Sequence, residues 1–429
     1  MHYHVAKQLS LFLSIVIGCL VLGCSNSEGV DYAGWEYVAE EDDVSAAESF
    51  YDSKVDYLPI DDSEYPYAGI PRIVIETLNH QKINDRETEI PAKLQVWGEK
   101  APESEVMNLT IRGRGNESWW HPKKPYAIKF NEKQSILGMP KAKKWVMLAN
   151  YRDRTLIRNA VAFELARKTS LAWTPSGKFV DVFLNGKFIG NYYICEKIEV
   201  NKNRLDLDDN SFLLEFDTYY DEENKFRTEY NDFPVNIKYP KQLDSTHFYF
   251  IKDYIDLAER ALQLNAADSS YLDFVNQESF ADYFIIYALS TNDELLHPKS
   301  TFIHKGPNGK LSAGPVWDFD YATFDINKIG LTNRNTKLFS QFLRKKSFKE
   351  IFRKKWMQNK SSFLTIESFI DSLSNYTKKS NELNKKIWPI KIDSHKVGDE
   401  DKSFDKAIDM LKKSVLFKIT EMDNLIWTF

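Results

Sequence analysis

Hydrophobic and polar residues alternate along the chain after residue 69, and the alternation predicts a β-rich region. Period-two patterns mark candidate strands at 71–78, 93–97, 108–113 and 123–130. These segments are short and separated by polar turns, which is typical of antiparallel sheet.

A change to helical spacing of apolar residues predicts one helix at 155–168, embedded in this β-rich region. Two further strands are expected at 178–186 and 187–198. The Asn185-Gly186 pair between them favours a type I′ hairpin, because both positions of that turn need a positive φ. Another strand is expected at 211–217.

From about residue 246 the pattern becomes helical and amphipathic, and it stays helical and lysine-rich from 337 onward. Short strands at 300–324 interrupt it, with Asn308-Gly309 at a turn. The sequence therefore predicts an α+β fold with two lobes, a β-rich N-lobe at 69–220 and a helix-rich C-lobe at 221–429. A cleft between such lobes is a natural ligand site.

The N-terminus has the pattern of a lipoprotein signal peptide over residues 1–23. A charged start precedes an apolar run of about fifteen residues, which is short for a membrane span. The run ends in Leu-Val-Leu-Gly before Cys24, similar to a lipobox, so Cys24 is the expected lipidation site. We expect an extracytoplasmic protein that is lipid-anchored to the bacterial cell envelope; an ordinary cleaved signal is the alternative.

The segment 24–68 is expected to be an acidic flexible tether. Between Asp31 and Glu64 it has twelve acidic residues and one lysine, a composition that favours solvation. Metal binding by the acidic run 40–43 is a weaker alternative. The net charge of −5 gives no indication of nucleic-acid binding.

Three aspartates are candidates for chemistry in the C-lobe. Asp293 follows a long apolar helix, where a carboxylate can project into a cleft, although its position alone favours a simple helix-terminal or loop acid. Asp318 and Asp320 are two residues apart. On an extended segment both would point to one face and bind one Mg²⁺, while Trp317 and Phe319 face a core. A pair of turn aspartates is the alternative.

Basic residues of the β-rich lobe are candidates for binding phosphate, and a solvated basic face is the alternative. They are Arg112, Arg114, Lys123, Lys124 and Lys129. Gly113 and Gly115 could let the backbone approach a phosphate, although the P-loop pattern is absent.

Glu196 lies among apolar residues and could pair with one of these lysines, whereas Cys195 is expected to be a core thiol. The sequence has no H-E-x-x-H and no G-x-S-x-G pattern, which disfavours zinc and serine hydrolases.

At these residues the chain resembles the CotH kinase family of atypical secreted kinases. The resemblance covers roughly residues 70–325 in the family's order. Its pieces are IRGRGNESW, PKKPYAIKF, ILGMPK, WVMLANYRDRTLIRNAVAFELA, VFLNGKFIGNYYICEKIEV and GPVWDFDYA.

The resemblance implies a two-lobed, protein-kinase-like fold with ATP and Mg²⁺ (or Mn²⁺) in the cleft. Asp293 would be the catalytic aspartate, and Asp318 would bind the metal with support from Asp320. Lys124 would bind phosphate and pair with Glu196. Arg112 is also expected near the nucleotide. Lys123 is the second candidate for the phosphate-binding lysine, after Lys124.

The implied function is transfer of phosphate from ATP to Ser or Thr hydroxyls of the protein itself or of an extracytoplasmic protein. The alternative is a catalytically inactive kinase-like surface lipoprotein that binds a protein or glycan through an aromatic-rich face. Aromatic residues make up 14% of the chain, and a large core with exposed rims explains them better than a binding surface does.

Overall fold

The computed structural model of the chain describes residues 41–55, 57–296, 298–389 and 396–428. The chain divides into two units, 1–46 and 47–429, and apart from the start of the first helix the features below lie in the second. The predicted signal peptide and Cys24 lie outside the described residues, so the lipid anchor stays a prediction.

Seven strands of the second unit close into a barrel in the order β1-β2-β3-β4-β5-β7-β6. They are β1 Arg72–Thr77, β2 Ile90–Trp97, β3 Met107–Gly113, β4 Tyr126–Gln134, β5 Ala142–Leu148, β6 Gly177–Leu184 and β7 Lys187–Glu196. The parallel pairing of β1 with β6 closes the barrel, and the other pairings are antiparallel.

The barrel is held together by a core of alternating inward side chains, including Ile75, Leu94, Ile128 and Trp145. An antiparallel sheet was expected in this region, but not its closure, which depends on pairing between strands more than a hundred residues apart. The β6–β7 hairpin has positive φ at both turn residues, 50° at Asn185 and 71° at Gly186, as a type I′ turn requires.

A second sheet of five strands has the order β12-β11-β8-β10-β9. Its strands are β8 Phe212–Phe216, β9 Lys225–Arg227, β10 Pro234–Tyr239, β11 Thr301–Lys305 and β12 Ser312–Ala313. Two of them, β9 and β10, were not predicted. The sheet joins β8 to strands from beyond residue 220, so hydrogen bonds cross the lobe boundary placed there from the sequence.

Eight helices are described: α1 Glu41–Asp52, α2 Arg158–Arg167, α3 Ser245–Gln263, α4 Gln277–Ser290, α5 Lys337–Arg344, α6 Lys346–Phe363, α7 Ile366–Ile387 and α8 Phe404–Leu425. The fold is therefore α+β, as expected. Every described residue of α4 after Glu278 is buried, and stacked rings such as Phe284 on Phe339 (4.1 Å between centroids) surround it. Much of the high aromatic content belongs to this core.

The end of the predicted tether differs from the expectation. Tyr57 packs edge-on against Trp97, and Tyr65 packs on Phe188, so residues before 69 contact the barrel. The acidic residues around these rings suggested a solvated segment, but the aromatic side chains between them bury apolar area.

Within the described ranges, none of the helices combines the length and the apolar character that crossing a membrane requires.

Candidate functional site

A cleft of about 490 Å³ lies against the barrel and is lined by charged side chains of both signs. Its cationic residues are Arg86, Arg112, Arg114, Lys123, Arg152, Lys197, Lys238 and Lys299. Its acidic residues are Glu87, Glu117, Glu215, Asp217, Asp221, Glu222, Glu294, Asp318 and Asp320. Such convergent charge is characteristic of a site for a polar, charged ligand.

The loop after β12 brings Asp318 and Asp320 into this cleft. Their backbone is not the extended segment expected from the sequence, because Asp318 has a φ of 68°. The two carboxyls are nevertheless hydrogen-bonded to each other, and Trp317 and Phe319 are buried. Burial and the neighbouring charge of Asp318 raise the pKa of Asp320 well above its ordinary value.

Side-chain amides from two other segments hold this loop. The Asn159 Oδ1 atom, on α2, accepts a hydrogen bond of 2.8 Å from the Phe319 amide. The Asn292 Nδ2 atom donates to the Asp318 carbonyl, also at 2.8 Å. The position of the two aspartates is therefore fixed by the predicted helix α2 and by the segment that follows α4.

In the segment after α4, two adjacent acidic residues have different environments: Asp293 does not line the cleft, whereas Glu294 does. The helix ends at Ser290, and Thr291 adopts the left-handed conformation with a φ of 51°. Asp293 is 45% exposed, pairs with Lys328 and is not among the described residues that line the cleft. Glu294 lines the cleft instead, and its Oε2 atom is buried without a hydrogen-bond partner.

The environment of Glu294 is strongly acidic. Burial, followed by repulsion from Asp318 and Asp217, raises the pKa of Glu294 to about 8, and Lys299 opposes this shift. Asp217 lies directly after β8, and its Oδ1 atom accepts a 2.9 Å hydrogen bond from the Tyr219 amide. This side of the cleft thus brings together carboxyl groups whose ionised forms repel one another, and a bound cation would stabilise those ionised forms.

On the barrel side, Arg114 follows β3 with its guanidinium 5.9 Å from the Trp317 ring centroid. Burial lowers its pKa, and the attraction of Asp318 opposes that effect. Arg112 donates from Nη1 to the carbonyls of Arg86 and Gly113. Both arginines line the cleft, and Arg114 is the one whose charge interacts with Asp318 and Asp320.

The glycines beside these arginines make close packing possible. A Cβ atom on Gly113 would lie 2.4 Å from the Trp119 ring and 2.5 Å from the Asp85 carbonyl. Gly115 has a φ of 83°, a conformation that favours glycine. Close packing and backbone conformation therefore explain why both positions are glycine.

Lys123 is fully buried beneath the cleft. Its Nζ atom donates to the carbonyls of Ala149 (2.7 Å) and Asn191, and it lies 4.6 Å from the Tyr192 ring centroid. Burial lowers its pKa to about 7, with Asp181 acting in the opposite direction. Its amine is therefore engaged by the main chain.

The expected pair of Lys124 and Glu196 is not brought together. The Lys124 amine donates to the Trp119 carbonyl at 2.6 Å, whereas Glu196 accepts from the Ser176 amide at 2.8 Å. In the described part of the chain neither residue lines the cleft. Of the expected site residues, the structure brings together Arg112, Lys123, Asp318 and Asp320.

Sequence reasoning missed the importance of Glu294, Asp217 and the supporting amides Asn159 and Asn292. Glu294 directly follows Asp293, so the sequence marked the right segment. Nothing in it shows which of the two acids faces inward, because that depends on the left-handed turn at Thr291.

No group of three or more His, Cys, Asp or Glu side chains forms a preformed metal site in the described ranges. Mg²⁺ that accompanies a nucleotide is usually bound by one or two carboxylates together with phosphate oxygens. Asp318 and Asp320 supply that number, and the unpartnered oxygen of Glu294 lies in the same cleft. The donor set therefore fits a cation that arrives with phosphate.

The family model described as CotH kinase protein matches residues 111–416. The chain belongs to the CotH kinase family and is thus a kinase-like protein. Apart from Arg86 and Glu87, the residues that line the cleft all lie in the matched region, from Arg112 on the barrel side to Asp320 on the acidic side. A search of curated proteins found no match.

Proposed function

We propose that this protein is an extracytoplasmic phosphotransferase that moves the terminal phosphate of ATP to a Ser or Thr hydroxyl, on itself or on another protein. The proposal depends mainly on one observation: in the cleft Arg114 faces Asp318 and Asp320, and a buried carboxylate oxygen of Glu294 without a hydrogen-bond partner lies beside them. Phosphoryl transfer depends on positioning and electrostatic stabilisation, and this arrangement offers both.

In this proposal Asp318 and Asp320 hold Mg²⁺ or Mn²⁺, which would neutralise charge on the phosphates. Arg114 is the principal phosphate ligand of the barrel wall, and Arg112 contributes charge near it. An arginine suits this role because its planar guanidinium can contact two phosphate oxygens at once. Lys123 supports the wall from beneath, through its bonds to main-chain carbonyls.

Glu294 is the proposed acceptor of the substrate proton, in place of Asp293. The hydroxyl oxygen forms a bond to the γ-phosphorus, the bond from that phosphorus to the leaving ADP oxygen breaks, and the hydroxyl proton passes to the Glu294 carboxylate. Asp293 is exposed and paired with Lys328, so it is less suited to this role.

The barrel would serve as the phosphate-binding lobe, and the second sheet with its helices as the catalytic lobe of a two-lobed, kinase-like arrangement. Lipidation of Cys24 would hold the protein at the cell envelope. That location favours acceptors among envelope or secreted proteins.

Thermal unfolding with and without Mg-ATP tests the proposal. A ligand at a hundred times its Kd stabilises the folded state by about 2.7 kcal/mol, so the wild type should unfold at a higher temperature with Mg-ATP. Asp318→Asn should abolish that shift, whereas Asp293→Asn should keep it.

Transfer of labelled γ-phosphate to the protein or to an added acceptor protein provides the second measurement. We expect transfer by the wild type and a loss of about 10³-fold in Asp318→Asn. Absence of any Mg-ATP shift at millimolar nucleotide would overturn the proposal. A shift without transfer to any acceptor would favour the inactive, binding alternative.

A further inference from the structure

Lysines lie beside one another on two adjacent strands of the barrel and directly after the end of a third. Lys129 on β4 is paired with Lys144 on β5. The last pair between β5 and β7 is Trp145 with Glu196, so Lys197 lies one step further, beside Lys144.

These lysines are on the outer face of the barrel. Their neighbours Ile128, Trp145 and Ile194 belong to the interior core, and side chains alternate between the two faces of a strand. All three lysines are exposed. We call Lys129, Lys144 and Lys197, together with Arg112 on β3, the cationic row.

Like charges that face each other across strands destabilise a sheet, so the row has a cost that packing does not explain. Lys129 is paired with Glu89, but in the described part of the chain Lys144 and Lys197 form no ion pair. The nearby Glu199 forms an ion pair with Arg204 instead, with 2.7 Å between Oε1 of Glu199 and Nη1 of Arg204. Lys197 reaches the surface at the edge of the cleft, but the protein packed around its amine and the neighbouring cations Lys144, Lys238 and Arg112 lower its pKa to about 8.

The fold holds the two unpaired lysines next to each other. The Arg204 guanidinium lies 5.1 Å from the Trp145 ring centroid and donates to the carbonyls of Lys144 (2.6 Å) and Lys197 (2.9 Å). A third cation thus ties the two strand ends together beneath the row. This is a fixed concentration of positive charge, which attracts anions.

The row leads into the cleft, because Lys197 and Arg112 also line it. An anionic group bound along the row would therefore continue toward Arg114 and the acidic wall. A ligand that covers both the row and the cleft must be a narrow chain, because the flat surface of a bilayer cannot enter a cleft.

We propose that the cationic row binds an acidic segment of the acceptor polypeptide, the one whose Ser or Thr hydroxyl group enters the cleft. That the bound polypeptide is the phosphate acceptor rests on the proposed function. Carboxylates flanking the acceptor hydroxyl contact Lys144 and Lys197, and the row thereby selects acceptors with acidic flanks.

Direct binding tests the proposal without requiring catalysis. The probe is a fluorescent serine peptide flanked by aspartates, compared with the same peptide carrying asparagines, and binding is followed by anisotropy. We expect the acidic peptide to bind at least tenfold more tightly at low salt, and its affinity to fall as salt rises. Lys144→Glu combined with Lys197→Glu should weaken it about tenfold.

Lys187→Glu is the matched control, because Lys187 is an exposed lysine of the same barrel in the β6–β7 hairpin. It should leave acidic-peptide binding unchanged. The double variant should keep its melting temperature, since it removes repulsion between exposed groups.

Equal affinity for both peptides, or no loss in the double variant, would overturn the proposal. So would binding of single-stranded DNA or of phosphatidylserine vesicles through the row when the acidic peptide is not bound. Peptide binding through the row without phosphate transfer would refute the proposed function while leaving the row as an acidic-peptide site.

Discussion

The two walls of the cleft carry opposite charges and hold them in different ways. On the barrel wall, Lys123 and Arg112 donate to main-chain carbonyls, and Arg114 lies near the ring of Trp317. Each of these cations has a fixed neighbour that stabilises it. The barrel wall is therefore complete before any ligand binds.

The acidic wall is different, because its carboxylates mainly face one another. Asp318 and Asp320 share a hydrogen bond, and Glu294 has an oxygen without a partner. Amides from Asn159 and Asn292 fix the loop backbone and do not bond to the carboxylates. This contrast supports the proposal that the acidic wall binds a cation and the barrel wall an anion, as a metal–nucleotide complex requires.

Among changes that leave Mg-ATP binding intact, the largest effect is expected at the acidic wall when Glu294 is changed to Gln. This isosteric change removes the proton acceptor and should lower phosphate transfer about 100-fold or more. Mg-ATP should still bind, so a thermal-shift measurement distinguishes the chemical step from binding.

Asp293→Asn is the matched control, because the neighbouring acid is exposed and paired with Lys328. Exposed ion pairs contribute little, so its transfer rate should stay within about threefold of the wild type. The reverse pattern, with transfer lost in Asp293→Asn and kept in Glu294→Gln, would restore the sequence-based assignment.

A smaller effect is expected on the barrel wall from Arg114→Met. Loss of a charged hydrogen-bond donor to phosphate costs about 1.5–3 kcal/mol, so Mg-ATP affinity measured by calorimetry should fall about 10- to 100-fold. Lys124→Met is the comparison variant, because the Lys124 amine donates to the Trp119 carbonyl away from the cleft. A larger loss in Lys124→Met than in Arg114→Met would contradict the assignment of the phosphate ligand.

The sequence could predict those features of the fold and the site that depend on local patterns. It located six of the seven barrel strands, all except β5, together with α2 and the Asn185-Gly186 hairpin, because alternation and turn chemistry are local. It also located Asp318 and Asp320, since acids within an apolar segment stand out.

Other features depend on contacts that a local pattern does not contain. The parallel pairing of β1 with β6 closes the barrel, and the lysines in β5 hide the alternation of that strand. The choice of Glu294 over Asp293 depends on the left-handed Thr291, and the choice of Arg114 over Lys124 depends on where the loop around Trp119 folds.

The smallest effect is expected beneath the barrel wall, from Lys123→Met. The folded chain lowers the pKa of this amine from 10.5 to about 7. Between those values the unfolded chain binds more protons, so this group makes stability rise with pH. Asp181 does not contribute in this window, because burial raises its pKa only to about 6.

Urea unfolding at pH 7 and pH 9.5 measures this effect. The wild type should gain more stability over that interval than Lys123→Met, since other titrating groups are common to both proteins. An equal gain in the two proteins would show that Lys123 does not lose its proton in the folded state.

Hydrogen–deuterium exchange with and without Mg-ATP tests most directly whether the two walls bind one ligand together. We predict slower exchange, in the presence of Mg-ATP, both in residues 113–117 of the barrel wall and in residues 317–321 of the acidic wall. The same nucleotide should give no protection in Asp318→Asn. Protection confined to one wall, or found only outside the cleft, would contradict the account.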